Sequence, residues 1–111
     1  MKLDFNQSLK SLDGKALKFD QVTEFTLKLA CVEALMREHA NEQISGKEKF
    51  ERAILAEKIH KAKGFCEVTS EEITQIKELV GRAWPPVVVL PAYKLLEGGS
   101  LEVVPPSPGA A

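Results

Sequence analysis

The chain has 111 residues, of which 44% are apolar and 28% are charged. This length and composition predict one soluble domain with a modest apolar core. Its 15 Lys and Arg against 16 Asp and Glu leave a net charge of −1. Such an even balance gives no global attraction to nucleic acid or to an anionic membrane surface.

Two cysteines, Cys31 and Cys66, lie in apolar surroundings without the spacing of a metal or redox motif. This arrangement favours two buried, reduced thiols over a disulfide. The N-terminal residues contain no apolar segment of signal-peptide length. No stretch reaches the roughly 20 apolar residues that span a bilayer. We therefore expect a soluble, cytoplasmic protein.

The first 19 residues predict extended structure that includes a short β-hairpin. Asp13-Gly14 lies between two segments with alternating apolar residues, and this dipeptide tolerates the positive φ angles of a tight turn. The register stays open, because a two-residue loop does not bring all the apolar side chains to one face. These side chains are Leu9, Leu12, Leu17 and Phe19.

The first predicted helix begins after Asp20, a favourable N-cap, and ends near Glu38. Its apolar residues recur at spacings of three and four, which gives one continuous stripe along a helix. They are Val22, Phe25, Leu29, Val32 and Met36. This stripe is expected to face the core.

The second predicted helix begins at a capping box, in which Ser45 and Glu48 satisfy each other's backbone N–H groups. Its expected buried face is formed by Phe50 and Ile54, together with Ala53 and Leu55, and by Ile59. Basic residues crowd its last turn, where the helix dipole favours positive charge. Gly64 follows as the expected C-terminal cap.

The third predicted helix begins at a second capping box, formed by Thr69 and Glu72. Gly81 inside this helix costs about 1 kcal/mol relative to Ala, so it predicts a close approach of another backbone. Pro85-Pro86 ends the helix, because the residue before a proline avoids the α conformation.

The segment after Pro86 allows two structures. The run Val87–Leu90 favours a strand on its β-branched content, whereas Pro86 and Pro91 are compatible with the start or kink of a final helix that ends at Glu97. We favour a short extended run followed by a helical turn or two. Residues 98–111 are rich in Gly, Pro and Ala and are expected to form a flexible tail, or one that becomes ordered on a partner.

The sequence therefore predicts a mainly α fold. Residues 1–97 form a single small domain, with a hairpin over residues 1–19 and a body of three helices and an apolar segment over residues 20–97. The tail follows at residues 98–111.

No residue pattern predicts catalysis, a metal site or a cofactor. The soft or imidazole ligands are the two cysteines, His39 and His60, and they are spread over different elements. The adjacent carboxylates of Glu71 and Glu72 point about 100° apart on a helix and are explained by the helix dipole. No Ser or Cys has a local His-and-acid signature. We therefore expect no active site.

Residues 45–64 hold five Lys and one Arg against three Glu, which raises the question of nucleic-acid binding. Lys and Glu alternate at i,i+4 positions there, as on a solvated helix face. In a helix-turn-helix the N-terminal residues of the second helix read the bases, but here they include Glu71 and Glu72, which repel phosphates. A solvated face is the favoured interpretation, and nucleic acid is not an expected partner.

The stretch Arg82–Gly99 holds the only Trp and the only Tyr of the chain. Within it, Val87–Leu90 is assigned to the core in preference to an interface. Trp84 and Tyr93 are residue types that are enriched in interface hot spots, so a surface that binds another protein is the competing interpretation. Its candidate contact residues are Trp84, Pro85, Tyr93, Leu101, Val103 and Val104.

Four segments carry a resemblance to known proteins. They are "LDGK" near the start, "ISGKEKFERAILAEKI" in the middle, "VTSEEITQIKELVGRAWPPVVV" and "AYKLLEG". In this order, over about residues 11–98, the chain resembles small proteins of tailed bacteriophages and prophages. In outline it is similar to tail-assembly chaperones, which are small helical bodies with loose C-terminal extensions. The resemblance implies a bacterial host cytoplasm or a virion, and function by binding, but it assigns no residue a role.

These observations predict a non-catalytic protein that binds other phage structural proteins, as an assembly chaperone or as an accessory component of the virion. The alternative is a phage-encoded inhibitor or regulator of a host enzyme or defence complex. Self-association is also open, because small proteins often bury such apolar surface against a copy of themselves.

Overall fold

The computed structural model describes residues 2–18, 20 and 22–97. Within them the chain forms four helices and a two-stranded antiparallel sheet, which confirms the mainly α fold with a short N-terminal β element. The elements are β1 (Lys2–Asp4), α1 (Leu27–Met36), α2 (Gly46–Lys61), β2 (Phe65–Glu67), α3 (Ser70–Ala83) and α4 (Pro86–Leu96). The predicted tail lies outside the described residues.

The N-terminal turn forms as predicted, while the sheet pairs segments that are distant in sequence. An isolated antiparallel bridge joins Lys10 to Ala16 around the Asp13-Gly14 turn, where Gly14 has a positive φ of 86°. β1 pairs with β2, and Leu3 is opposite Cys66. The sheet therefore ties the N-terminal segment to the connection between α2 and α3.

Three short extended segments, residues 8–10, 16–18 and 24–26, share a closed set of backbone hydrogen bonds and form a three-sided β unit. The Leu9 N–H donates to the Phe25 carbonyl (2.8 Å), the Leu17 N–H to the Leu9 carbonyl (2.8 Å) and the Phe25 N–H to the Leu17 carbonyl (2.9 Å). All three side chains belong to the core or pack against it. The unit therefore pairs the backbone N–H and C=O groups of these three residues with one another while adding to the core.

The predicted start of the first helix was wrong, because α1 begins at Leu27 and not after Asp20. Thr26 is the N-cap, and its hydroxyl accepts the Leu29 N–H (3.1 Å). Residues 24–26, directly before α1, are extended, and the backbone groups of Phe25 are bonded within the three-sided β unit. Consequently Val22, the first residue of the predicted apolar stripe, is 85% exposed.

α2 has the predicted capping box but buries only part of the predicted face. The Ser45 hydroxyl accepts the Glu48 N–H (3.1 Å), and the Glu48 carboxylate accepts the Ser45 N–H (3.2 Å). The prediction that Phe50 and Ile54 are buried was wrong, since they are 66% and 47% exposed. Leu55 and Ile59 are buried as predicted, together with Ala56. α2 has apolar residues on two faces, and the sequence pattern alone does not show which face is buried. Packing against α1 decides this.

The end of α2 also differs from the prediction, since its C-cap is Ala62 and not Gly64. Lys28 of α1 donates from Nζ to the carbonyls of His60 (3.1 Å) and Ala62 (2.8 Å). A side chain from another helix therefore satisfies carbonyl groups that a glycine motif satisfies elsewhere.

α3 begins at the second predicted capping box, in which Thr69 and Glu72 exchange hydrogen bonds of 3.0 and 2.9 Å. The neighbour of Gly81 is a side chain of α4 and not the predicted backbone. A Cβ at Gly81 would lie 2.7 Å from the hydroxyl oxygen of Tyr93. The glycine therefore leaves room for that hydroxyl, which donates to the Lys77 carbonyl (2.5 Å).

The prediction of an extended run over Val87–Leu90 was wrong, because these residues belong to α4. Pro86 occupies the first helical position, where its missing N–H costs nothing and its fixed φ suits a helix. Pro91 lies inside the helix. The buried residues recur at every fourth position and are Val88, Ala92 and Leu96. Burial of this face therefore outweighs β-branched propensity.

One apolar core joins these elements. Among the described residues, every buried side chain is apolar. The core receives side chains from both strands, the three-sided β unit and all four helices. α1 packs against α2, α3 and α4 and is therefore the central element.

The contact between Gly81 and Tyr93 predicts that substitutions at these two positions are coupled. Gly81→Ala alone gains helix propensity but forces its Cβ onto the Tyr93 hydroxyl, so we expect no gain in stability. In a Tyr93→Phe background the oxygen is gone, and the same substitution should raise the free energy of unfolding by about 1 kcal/mol. Denaturant unfolding of all four proteins measures this coupling. Equal effects in both backgrounds would contradict the packing.

Candidate protein-binding surface

Trp84 lies half-buried at the junction of α3 and α4. Its backbone N–H donates to the Val80 carbonyl (3.1 Å), and its indole Nε1 donates to the Ala30 carbonyl of α1 (3.0 Å). Its ring packs edge-on against Phe25, with the centroids 4.9 Å apart. The guanidinium of Arg37 lies 4.9 Å from the centroid of the Trp84 ring. Trp84 therefore joins the three-sided β unit, α1 and the C-terminal pair of helices.

Tyr93 is a second half-buried anchor, farther along α4. Besides the hydrogen bond from its hydroxyl to α3, its ring contacts the Lys77 ammonium group, which lies 5.1 Å from the ring centroid. Lys77 also pairs with Glu97 (2.6 Å). The polar atom of Tyr93 is thus satisfied within the chain, as is the indole N–H of Trp84.

The contact residues predicted from the sequence divide into three groups. Trp84 and Tyr93 are anchors that pack within the chain. Pro85 is exposed beside Trp84 and is the N-cap of α4. The remaining three, Leu101, Val103 and Val104, lie outside the described residues. The structure therefore brings Trp84 and Pro85 together, and it places Tyr93 against α3.

α4 carries apolar residues on two sides, and the described chain covers one of them. Val88 is buried, whereas Val87 and Leu90 are 52% and 44% exposed. With the exposed Pro85 and Pro86, these two residues form what we call the outer face of α4. A helix that is apolar all round is typical of a buried helix. The outer face is therefore apolar surface that the described residues leave uncovered.

Val87 and Leu90 are not among the contact residues predicted from the sequence, because the core was preferred to an interface for the run Val87–Leu90. Helical spacing is the signal that separates them. When Val88 and Ala92 share a face, Val87 and Leu90 lie on the other side of the helix. The run is therefore partly core and partly surface.

A second polar site lies in the connection between α1 and α2. Glu42 accepts hydrogen bonds from two nitrogens of Arg52 (2.8 and 2.6 Å) and from Arg82 (2.9 Å). Arg82 also pairs with Glu78 (2.6 Å). The hydrogen bonds from Arg52, together with its charge, lower the pKa of Glu42 to about 2. Glu42 therefore stays ionised at neutral pH and clamps this connection onto α2 and α3.

The Glu42 clamp borders a surface depression of about 570 Å³. Its walls combine apolar side chains, such as Leu35 and Met36, with charged side chains of both signs, such as Arg37 and Glu38. Because the charges are mixed, the lining does not favour one class of ligand.

The two thiols are buried and free, as predicted. Burial raises the pKa of both Cys31 and Cys66, so the thiols stay protonated and unreactive at neutral pH. In the part of the chain that the structure describes, no group of three or more His, Cys, Asp or Glu side chains is placed to hold a metal ion.

Over the same residues, no helix combines the length and the apolar character that crossing a membrane requires. Comparison with protein-family models, with curated proteins and with solved structures found no match to this chain.

The low pKa of Glu42 predicts an acid-dependent loss of stability. Its pKa is about 2 in the fold against an ordinary value of 4.5. The clamp therefore stabilises the fold above about pH 4.5, and its contribution is lost as the pH falls toward 2. The Tm difference between the wild type and Glu42→Gln should shrink through this range. Exposed Glu33→Gln is the control and should follow the wild type. A difference that stays constant on acidification would contradict the clamp.

Proposed function

We propose that this chain is a non-catalytic, phage-type protein that binds other virion proteins, as an assembly chaperone or as an accessory component of the particle. The observation that carries the proposal is the outer face of α4. There Val87 and Leu90 are exposed on a helix whose opposite side is core. Apolar surface of this kind gains free energy when another protein covers it.

The spacing of the outer face suits recognition by a groove. Val87, Leu90 and the exposed Lys94 follow one another at intervals of three and four residues. This is the pattern by which one face of a helix docks into an apolar groove of a partner. Lys94 then lies at the polar rim, where charged residues belong in an interface.

The outer face also has a rigid support. Trp84 and Tyr93 hold α4 against α1 and α3 from behind, and Pro86 fixes the backbone of its first turn. A surface that is ordered before binding loses less conformational entropy when it binds. These two aromatic residues thus support the binding surface from the inside.

The protonation and pairing of the thiols and of the Glu42 carboxylate favour binding over catalysis. The thiols are buried and protonated, and Glu42 is held ionised by two arginines. None of these groups is poised for nucleophilic attack or proton transfer at neutral pH. On α2, Lys58 pairs with Glu72 and Lys61 with Glu57. Part of its basic charge is therefore neutralised within the chain, which does not favour nucleic acid as a partner.

The virion context comes from the resemblance to phage proteins. The longest similar segment, "VTSEEITQIKELVGRAWPPVVV", runs from Val68 through α3 into α4. It therefore contains the Trp84 anchor and part of the outer face. Proteins that share these residues are expected to share this surface.

An affinity capture experiment tests the proposal. The tagged chain and its Val87→Gln/Leu90→Gln variant serve as baits in a lysate of bacteria infected by a tailed phage, and captured proteins are identified by mass spectrometry. We expect capsid or tail proteins on the wild-type bait. The variant should capture at least about tenfold less, because it places unpaired polar groups in an apolar interface.

Val22→Gln is the matched control, since Val22 is also exposed but lies in the N-terminal part of the chain. It should capture phage proteins as the wild type does. Capture of a single host enzyme without phage structural proteins would replace the proposal with an inhibitor or regulator. Capture that the α4 variant leaves unchanged would assign binding to another surface.

A further inference from the structure

The outward side of α2 carries an apolar pair that the described chain leaves in solvent. Phe50 and Ile54 are exposed and lie one helical turn apart, on the side opposite the buried Leu55, Ala56 and Ile59. An exposed aromatic side chain beside an aliphatic one is a typical centre of a protein interface.

Charged residues extend this pair into a regular line. The spacings along it are three, four, three and four, and every member is exposed. We call this line the α2 stripe. It consists of Lys47, Phe50, Ile54, Glu57 and Lys61. Such spacing is that of the seam along which two helices pack side by side.

The α2 stripe is complementary to itself in one orientation. When two copies pack antiparallel about a two-fold axis midway between Phe50 and Ile54, Phe50 of each copy faces Ile54 of the other. In the same arrangement Lys47 of each copy faces Glu57 of the other. A parallel pairing in register would instead place like charges opposite each other, which is unfavourable.

We propose that the α2 stripe binds the same stripe of a second copy of this chain in the antiparallel orientation. The interface is symmetric, so each apolar contact and each ion pair occurs twice. It uses a different helix from the outer face of α4 and therefore goes beyond the proposed function. That face stays available to a partner in the dimer.

The side chains of Glu57 and Lys47 can form ion pairs with a second copy without breaking a strong ion pair of their own chain. Glu57 pairs with Lys61 of its own helix at 3.1 Å, and both side chains are more than half exposed. Such a pair contributes little and is readily exchanged or shared. Lys47 has no ion pair within the described residues. Facing Glu57 of a second copy would give it one.

Reciprocal charge substitutions test the pairing. The wild type should show a monomer–dimer equilibrium in sedimentation experiments at low salt. Lys47→Glu places carboxylates opposite each other, and Glu57→Lys places ammonium groups opposite each other. Each should weaken dimerisation at least about tenfold. The combined Lys47→Glu/Glu57→Lys variant restores both pairs with exchanged signs and should dimerise as the wild type does.

A mixture of the two single variants gives a sharper test. In a heterodimer of Lys47→Glu with Glu57→Lys, both facing pairs are attractive, so the mixture should dimerise at concentrations where each variant alone is monomeric. Both substitutions suit the dipole of α2, because they add negative charge toward its N-terminus and positive charge toward its C-terminus. Circular dichroism should therefore show an intact helix.

Leu90→Gln, on the outer face of α4, is the control and should keep the wild-type equilibrium. A wild-type chain that is monomeric up to about 1 mM would overturn the proposal. A dimer that both single charge variants form as well as the wild type would also overturn it, because the contact would then lie on another face.

Discussion

The indole N–H of Trp84 donates to the Ala30 carbonyl of α1, and the ring packs against Phe25 and Arg37. Through this one side chain, the corner between α3 and α4 is held against both the central helix and the three-sided β unit. The direction in which α4 leaves the corner depends on that contact. The position of the outer face of α4 therefore depends on it as well, although Trp84 itself points toward the core side.

Two helices of this fold have apolar side chains on opposite sides. In α2, Ile59 faces the core and Phe50 faces solvent; in α4, Val88 faces the core and Val87 faces solvent. A folded monomer needs only one covered side per helix, so the second side is free to bind other proteins. In our proposals, α2 uses its second side for a copy of this chain and α4 for a virion protein.

Local signals predict the parts of the fold that a few adjacent residues decide. Both capping boxes and the Asp13-Gly14 turn depend on hydrogen bonds within four residues, and all were predicted from the sequence and confirmed. The start of α1 at Leu27 depends on the backbone contacts of residues 24–26 with residues 8–10 and 16–18. No local sequence pattern shows these contacts. The exposure of Val87 and Leu90 depends on the helical register of α4. The β-branched residues of this run favoured a strand in the sequence analysis, so this register was not predicted. Trp84 was predicted as a contact residue from its residue type. Its half-buried position depends on a hydrogen bond to the carbonyl of Ala30, which is distant in sequence.

The free energy of unfolding of three variants tests most directly whether Trp84 supports the fold while the outer face of α4 does not. Trp84→Ala removes a hydrogen bond and the packing of a large ring, and we expect a loss of about 2–4 kcal/mol. Val87→Gln and Leu90→Gln alter exposed side chains, and each should lose less than about 1 kcal/mol. Losses at Val87 and Leu90 as large as that at Trp84 would contradict this account, because the outer face would then be part of the core.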